Sequence, residues 1–248
     1  MALGPEKGKF SVDFVPVFDN RAGSVNTFYL RPSLHRPDGS RFEDAAFLAL
    51  GAEGKFYDDA FVVFNMGRVI KFGMKKADQL RSEASDAKVI IPVNGAVLAR
   101  KEIASEFASL CRLASPEKRA NVIFEVTNIA GDHRLSLLDD VAIVLHPFCL
   151  ACHVRVPLSA TNLTLYATCN YTGVSVDLLN KPWPMAAVSA HLKAFFGRVE
   201  LSQLKLYTHG VGNHTLATYL RGIGVRFLSG DGVDEDVLDA DSTPVFLD

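Results

Sequence analysis

The chain has 248 residues, 48% of them hydrophobic and 22% charged, with a formal net charge of -2. Such a balance describes an ordered globular protein that can bury a large core without disulfide or metal staples, and it leaves no electrostatic footprint for nucleic acid. No apolar run approaches a membrane span and Met1 to Lys9 lacks the apolar stretch of a signal peptide, so a cytoplasmic location is the expectation, with Cys111, Cys149, Cys152 and Cys169 reduced and buried.

Phe10 to Phe18 alternates and reads as a strand, with Val25 to Arg31 as its antiparallel partner across Asn20-Arg21-Ala22-Gly23. Pro32 to Gly39 is rich in turn formers. Phe56 to Leu80 carries Phe61, Phe64, Val69 and Phe72 at helical spacing, as one long helix or two shorter ones. Lys88 to Pro92 is a short apolar run that suits a buried strand. Ala99 to Leu113 reads as a helix stopped by Ser115-Pro116, Asn121 to Val126 as a strand, and Arg134 to Leu145 as a helix. His153 to Val156 and Val174 to Val176 are further strands. Pro182 to Gly197 is a helix with prolines in its first turn, where a missing N–H costs little. Leu204 to Tyr207 is a strand, Asn213 to Arg221 a helix with Gly222 after it, and Val225 to Leu228 the last strand. Alternating strands and helices predict a parallel sheet. Eight strands in a chain of this length favour a closed barrel in a single domain spanning residues 1–248, with a core from about 10 to 233 and an acidic, solvated tail at 234–248. Seventeen Phe against one Trp predict a core rich in Phe.

A series of short motifs runs through this alternation. Phe14-Val15-Pro16-Val17-Phe18-Asp19 is followed by Phe28-Tyr29-Leu30-Arg31, then Ile91-Pro92-Val93-Asn94, then Phe124-Glu125-Val126-Thr127-Asn128, then Val174-Ser175-Val176-Asp177. In order and spacing the series resembles the landmarks of EAL domains, the bacterial cyclic-di-GMP phosphodiesterases (YQPIVD, EALLR, VNLS, LEITE and LKID). No single motif is specific; the ordered series covers about residues 10 to 233. The resemblance implies an α/β fold, a modified TIM-type (β/α)8 barrel with one antiparallel strand. Active groups in such barrels stand at the C-terminal ends of strands. It also implies that Asn94, Glu125 and Asp177 match positions that hold Mg²⁺ or Mn²⁺ in enzymatic members, and that Arg31 matches an arginine that grips nucleotide phosphate.

The departures from the pattern carry more of the argument. The glutamate of EALLR aligns with Thr27, and the paired aspartates of DDFGTG fall near Val154-Arg155. The lysine of LKID aligns with Ser175, two glutamates of AEGVE with His209 and Gly212, and two glutamines with Val15 and Ser229. Hard cations need several oxygen ligands at once, and an arginine in the site opposes a cation. No catalytic residue, metal or cofactor is therefore expected; Arg31, Asn94, Glu125 and Asp177 stand as residual family positions. Glu125 and Asp177 would equally serve by accepting backbone N–H bonds.

Other groupings read as structural. Cys149-Leu150-Ala151-Cys152-His153 fits C-x-x-C-H, a c-type haem attachment pattern. With no export signal visible, the cysteines read as core residues. Adding His146 gives ligand types suited to zinc, but residues alternating along a strand cannot all face one ion. Gly210-Val211-Gly212 and Gly222-Ile223-Gly224 lack the rest of any dinucleotide fingerprint. His209 has the chemistry of a general base but no identifiable nucleophile, and reads as structural or exposed. The expected function is that of a catalytically inactive regulatory protein working through a protein partner or a homodimer in bacterial signalling, with cyclic-di-GMP binding weak or absent. A non-hydrolysing cyclic-di-GMP receptor and an enzyme rebuilt in the same barrel mouth are the alternatives. The expected contact surface is Val154 to Tyr166, which gains Pro157, Leu158, Leu163, Leu165 and Tyr166, together with Trp183 to Phe196; core filling is the competing reading.

Overall fold

A computed structural model describes residues 8–50, 59–112, 116–129, 135–181, 183–233 and 245–246. In chain order the elements are β1 (Lys9–Asp19), β2 (Ser24–His35), β3 (Arg41–Glu43), α1 (Asp44–Leu48), α2 (Asp59–Ser82), β4 (Lys88–Asn94), α3 (Gly95–Leu98) and α4 (Lys101–Arg112). A 3-10 turn at Pro116–Asn121 leads into β5 (Val122–Thr127) and α5 (Leu135–Leu145), and another at His146–Phe148 into β6 (Ala151–Arg155). Then follow α6 (Thr164–Thr168), β7 (Gly173–Lys181), α7 (Met185–Leu201), β8 (Lys205–Val211), α8 (His214–Gly222), β9 (Phe227–Leu228) and β10 (Val245–Phe246).

Eight strands close on themselves in the order β1-β2-β4-β5-β6-β7-β8-β9. β1 is antiparallel to both neighbours, β2 and β9, and the other pairings round the barrel are parallel. The expected (β/α)8 barrel with one antiparallel strand is the fold observed. β2 differs from its expected limits. It runs on through Pro32 to His35 and pairs there with β3, so the turn begins only at Arg36. The short elements β3, α1, α3, α6 and β10 carry too few residues to show a period. Residues 56–58 of the expected α2, 113 of α4, 134 of α5 and 182 of α7, and nearly all of the acidic tail, lie outside the described residues.

Strand alternation splits the buried residues into two layers. Outward-facing residues such as Val89, Ile91, Phe124, Val126, Val154 and Val176 pack under the helices with Phe107, Leu138 and Phe195. Because β4 and β5 are buried on both faces, their sequences read as unbroken apolar runs. Inside the barrel, Val17, Tyr29, Ile90, Ile123, Tyr207 and Phe227 form a smaller apolar floor, with Tyr207 and Phe227 stacked at 4.3 Å. His153 lies against Tyr207, centroids 4.5 Å apart. Its ring fits because position 173, its partner across β7, is glycine: a Cβ there would come within 2.9 Å of the imidazole.

Toward the C-terminal ends of the strands the inward positions change character. Two residues after Ile123 on β5 comes Glu125; two after His153 on β6 comes Arg155; two after Ser175 on β7 comes Asp177; two after Tyr207 on β8 comes His209. The barrel thus has an apolar floor and a charged mouth, and the mouth is where this fold places its working groups.

Candidate functional site

Arg155 is the centre of the mouth. Its Nε and Nη2 donate to Glu125 Oε1 at 2.9 and 2.5 Å, and Nη2 also donates to the Tyr29 hydroxyl at 2.6 Å. Nη1 pairs with Asp44 Oδ2 and stands 3.4 Å from Asp177 Oδ2. The guanidinium lies 5.3 Å from the centre of the Tyr29 ring, and the Tyr29 hydroxyl donates to Asp44 Oδ1. Three carboxylates and a phenol therefore converge on one planar cation, whose fork satisfies several acceptors at fixed angles. Burial works against the charge on Arg155, but Asp44 and Glu125 outweigh it and hold the group firmly cationic.

Glu125 is fully buried. Burial alone would push its carboxyl up; Arg155, then His209, overcome that and hold it well below the usual carboxylate range. His209 Nε2 donates to Glu125 Oε2 at 3.0 Å, while its Nδ1 meets Ser229 Oγ at 3.0 Å. His209 is itself buried and stacks on Tyr29 at 4.4 Å. Tyr29 is kept a neutral phenol, chiefly by burial. Asp177 is partly exposed and its Oδ1 accepts from the Leu179 N–H at 2.8 Å. Gly210, with φ +63°, makes room for that arrangement, since a Cβ there would lie 2.6 Å from both Asp177 Oδ1 and the Leu179 nitrogen. Asp44, Leu179 and Asn180 also hold positive φ, a concentration of left-handed backbone around the mouth.

The residual family positions divide. Glu125 and Asp177 meet in this cluster through Arg155. Asn94 has other commitments: its Oδ1 accepts from the Val97 N–H at 3.2 Å as the N-cap of α3, and its Nδ2 donates to the Leu48 carbonyl at 3.1 Å. Arg31 lines a cleft of about 170 Å³ beside the cluster, together with Val15, Asp177, Leu179 and Gly210. It reaches Asp13 at 3.4 Å, and its buried Nε has no hydrogen-bond partner. His209, read from sequence as structural or exposed, is buried and bonded to Glu125.

Asp44 escaped the sequence reading. It opens α1 directly after β3, and only the β2–β3 pairing carries it back over the mouth. The available signal was an acid just ahead of a short apolar run, Ala-Ala-Phe-Leu, which is weak. In the expected contact segment, Leu163 is buried and Leu158, Leu165 and Tyr166 pack partly against the core. Trp183, which opens the second expected segment, is exposed, and so is Leu179 at the rim of the mouth, which was not expected. The four-residue zinc grouping does not form, because His153 faces the barrel interior while Cys152 faces the helices.

No protein-family model matches the sequence, and no curated protein does either. Solved structures do. The PaMucR phosphodiesterase in complex with c-di-GMP superposes with a TM-score of 0.68 at 14% identity, over 93% of this chain and 90% of that one. The FimX EAL domain from Pseudomonas aeruginosa bound to c-di-GMP gives 0.65 at 15% identity, over 94% of each. The EAL enzyme Bd1971 in its cGMP-bound form gives 0.66 at 13% identity over 89% of this chain; the chain spans 61% of that protein's length. At such identities the likeness establishes the fold, an EAL-type barrel. Among the described residues no helix is long and apolar enough to cross a membrane.

Proposed function

We propose that this protein is a catalytically silent EAL-like barrel that acts through protein contacts in cyclic-di-GMP signalling. The observation that carries the reading is Arg155. Its guanidinium sits among Glu125, Asp177 and Asp44, so a tethered cation occupies the space and the charge that a dissolved metal would require. Metal-assisted hydrolysis needs a metal with open positions for water. A guanidinium has no coordination sites and does not lower the pKa of a water as Mg²⁺ or Mn²⁺ does. The 170 Å³ cleft is also smaller than the 300–1,000 Å³ typical of small-molecule sites. The exposed Leu179 and Trp183 at the rim favour a protein contact there.

A specific observation favours the second reading, a receptor that binds cyclic-di-GMP without cleaving it. Arg31 lines the cleft with its side chain partly exposed, as a phosphate-binding arginine would. Incubation with cyclic-di-GMP and Mg²⁺ or Mn²⁺ is expected to give no linear product. Turnover abolished by Glu125→Ala would overturn the proposal. Calorimetry with the same nucleotide is expected to give no binding isotherm, and a micromolar or tighter Kd would establish the receptor reading.

A further inference from the structure

Away from the mouth, at the N-terminal end of β6, a different group of side chains converges. The 3-10 turn after α5 supplies His146, the residue following that turn is Cys149, and the second position of β6 is Cys152. Cys149 Sγ and Cys152 Sγ are 3.6 Å apart, and Cys152 Sγ is 4.0 Å from His146 Nδ1. The three ligating atoms all lie within 4.8 Å of one another. We propose that His146, Cys149 and Cys152 form a binding site for a tetrahedral thiophilic cation of the Zn²⁺ class, with water in the fourth position.

The spacing carries the assignment. Zn–S bonds of about 2.3 Å and Zn–N bonds of about 2.0–2.1 Å give tetrahedral edges of about 3.8 Å between two sulfurs and about 3.6 Å between sulfur and nitrogen. The Cys149–Cys152 and Cys152–His146 separations differ from those edges by about 0.2 and 0.4 Å, and the Cys149–His146 pair, within 4.8 Å, closes on the third edge by side-chain rotation. Among the described residues the imidazole is uncommitted: Nδ1 has only the distant thiol, and Nε2 is buried without a partner. Binding displaces one proton from each thiol, so two thiolates balance the dication. His153, the fourth residue of the sequence pattern, is on the other face of β6 and takes no part.

The location gives the role. The N-terminal face of such a barrel serves stability, and the cation would clip the end of α5 to the start of β6. The site is independent of whether the mouth is silent. The test uses the full chain, reduced and stripped of metal, titrated with Co²⁺ and then Zn²⁺. One equivalent of Co²⁺ should produce a thiolate-to-cobalt charge-transfer band with the visible bands of tetrahedral geometry, and Zn²⁺ should bleach both. Cys149→Ser should weaken Zn²⁺ binding by about 100-fold or more, since losing even a partner that only supports a ligand costs about 10–100-fold. His146→Ala, which leaves both buried sulfurs in place, is the second variant and should weaken binding similarly. Absence of a thiolate-to-cobalt band in the reduced wild-type chain overturns the proposal, whether the thiols remain free or close to a disulfide. So does a Zn²⁺ affinity unchanged from the wild type in either variant.

Discussion

Removing Arg155 tests the reasoning about the mouth most directly. Arg155→Ala leaves Glu125 fully buried with the hydrogen bond from His209, and leaves Asp44 and Asp177 facing it without the guanidinium. Breaking a buried pair by deleting one partner costs about 3–5 kcal/mol, because the other charge stays buried and uncompensated. With an unfolding entropy of about 2.1 cal/mol/K per residue, the whole chain has about 0.5 kcal/mol/K, so Tm should fall by about 6–10 °C near neutral pH. The pH dependence fixes the cause. In the wild type the Glu125 carboxyl lies well below its ordinary value, so its contribution is present above the unfolded pKa of about 4.3 and is lost as pH falls through the folded one. In the variant burial is no longer outweighed, the folded pKa rises, and the penalty grows as pH climbs through the unfolded value. The gap between the two proteins should therefore be widest at pH 7.5 and narrow toward pH 5. Arg155→Lys keeps the charge without the fork and should fall between them. Thermal and urea unfolding of the three proteins at both pH values is the assay. A loss under about 1 kcal/mol, or the same gap at pH 5 and pH 7.5, refutes the picture of a guanidinium compensating buried carboxylates.

Two further predictions concern the frame around the site. Asp19 is buried and accepts from Arg226 Nε at 2.8 Å and Nη2 at 2.6 Å, from Asn26, and from the N–H groups of Arg21 and Ala22; burial pushes its carboxyl up, but these partners lower it to about 2. Asp19→Asn should cost roughly 2 kcal/mol at pH 7, discounted for the solvent around Arg226, and the difference should fade as pH drops from about 4 toward 2; urea midpoints at pH 6 and pH 3 decide it, and an equal loss at both refutes it. Asn94→Ala removes the α3 cap and a bond to the Leu48 carbonyl, so a loss of about 1–3 kcal/mol in urea unfolding is expected, with no change in divalent-cation binding.

The strand–helix alternation was readable because β4 and β5, buried on both faces, read as short unbroken apolar runs, whereas α2 carries its apolar residues at helical spacing. Glu125 and Asp177 were legible as charges closing apolar strands. Arg155 was legible as an obstacle to metal, but not as the centre of the mouth, because its partners come from four separate elements. Asp44 depended on the short hairpin that returns it over the barrel. Asn94 matched a family position by spacing, and spacing does not report that the next residues coil into a helix needing its side chain as a cap. The proximity of His146 to the two cysteines was hidden for a related reason: a 3-10 turn, rather than a strand, joins them, and only the residues within β6 obey the alternation that separated His153 from Cys152.

The way β1 is shared has a consequence for how the chain reaches its native state. Phe14 pairs with Leu30 across a tight hairpin, whereas Asp19 pairs with Phe227, near the opposite end of the sequence. Hairpins form in microseconds, but contacts between distant residues slow folding across proteins of similar stability. Closure of the ring by β9 thus bridges a larger separation than any other pairing round the barrel. The same step seats Ser229 beside His209, through a bond from the Ser229 N–H to the Thr208 carbonyl. The hydrogen-bond chain from Ser229 through His209 to Glu125 is completed only when the ring shuts, so its formation times the final event of folding rather than the first collapse.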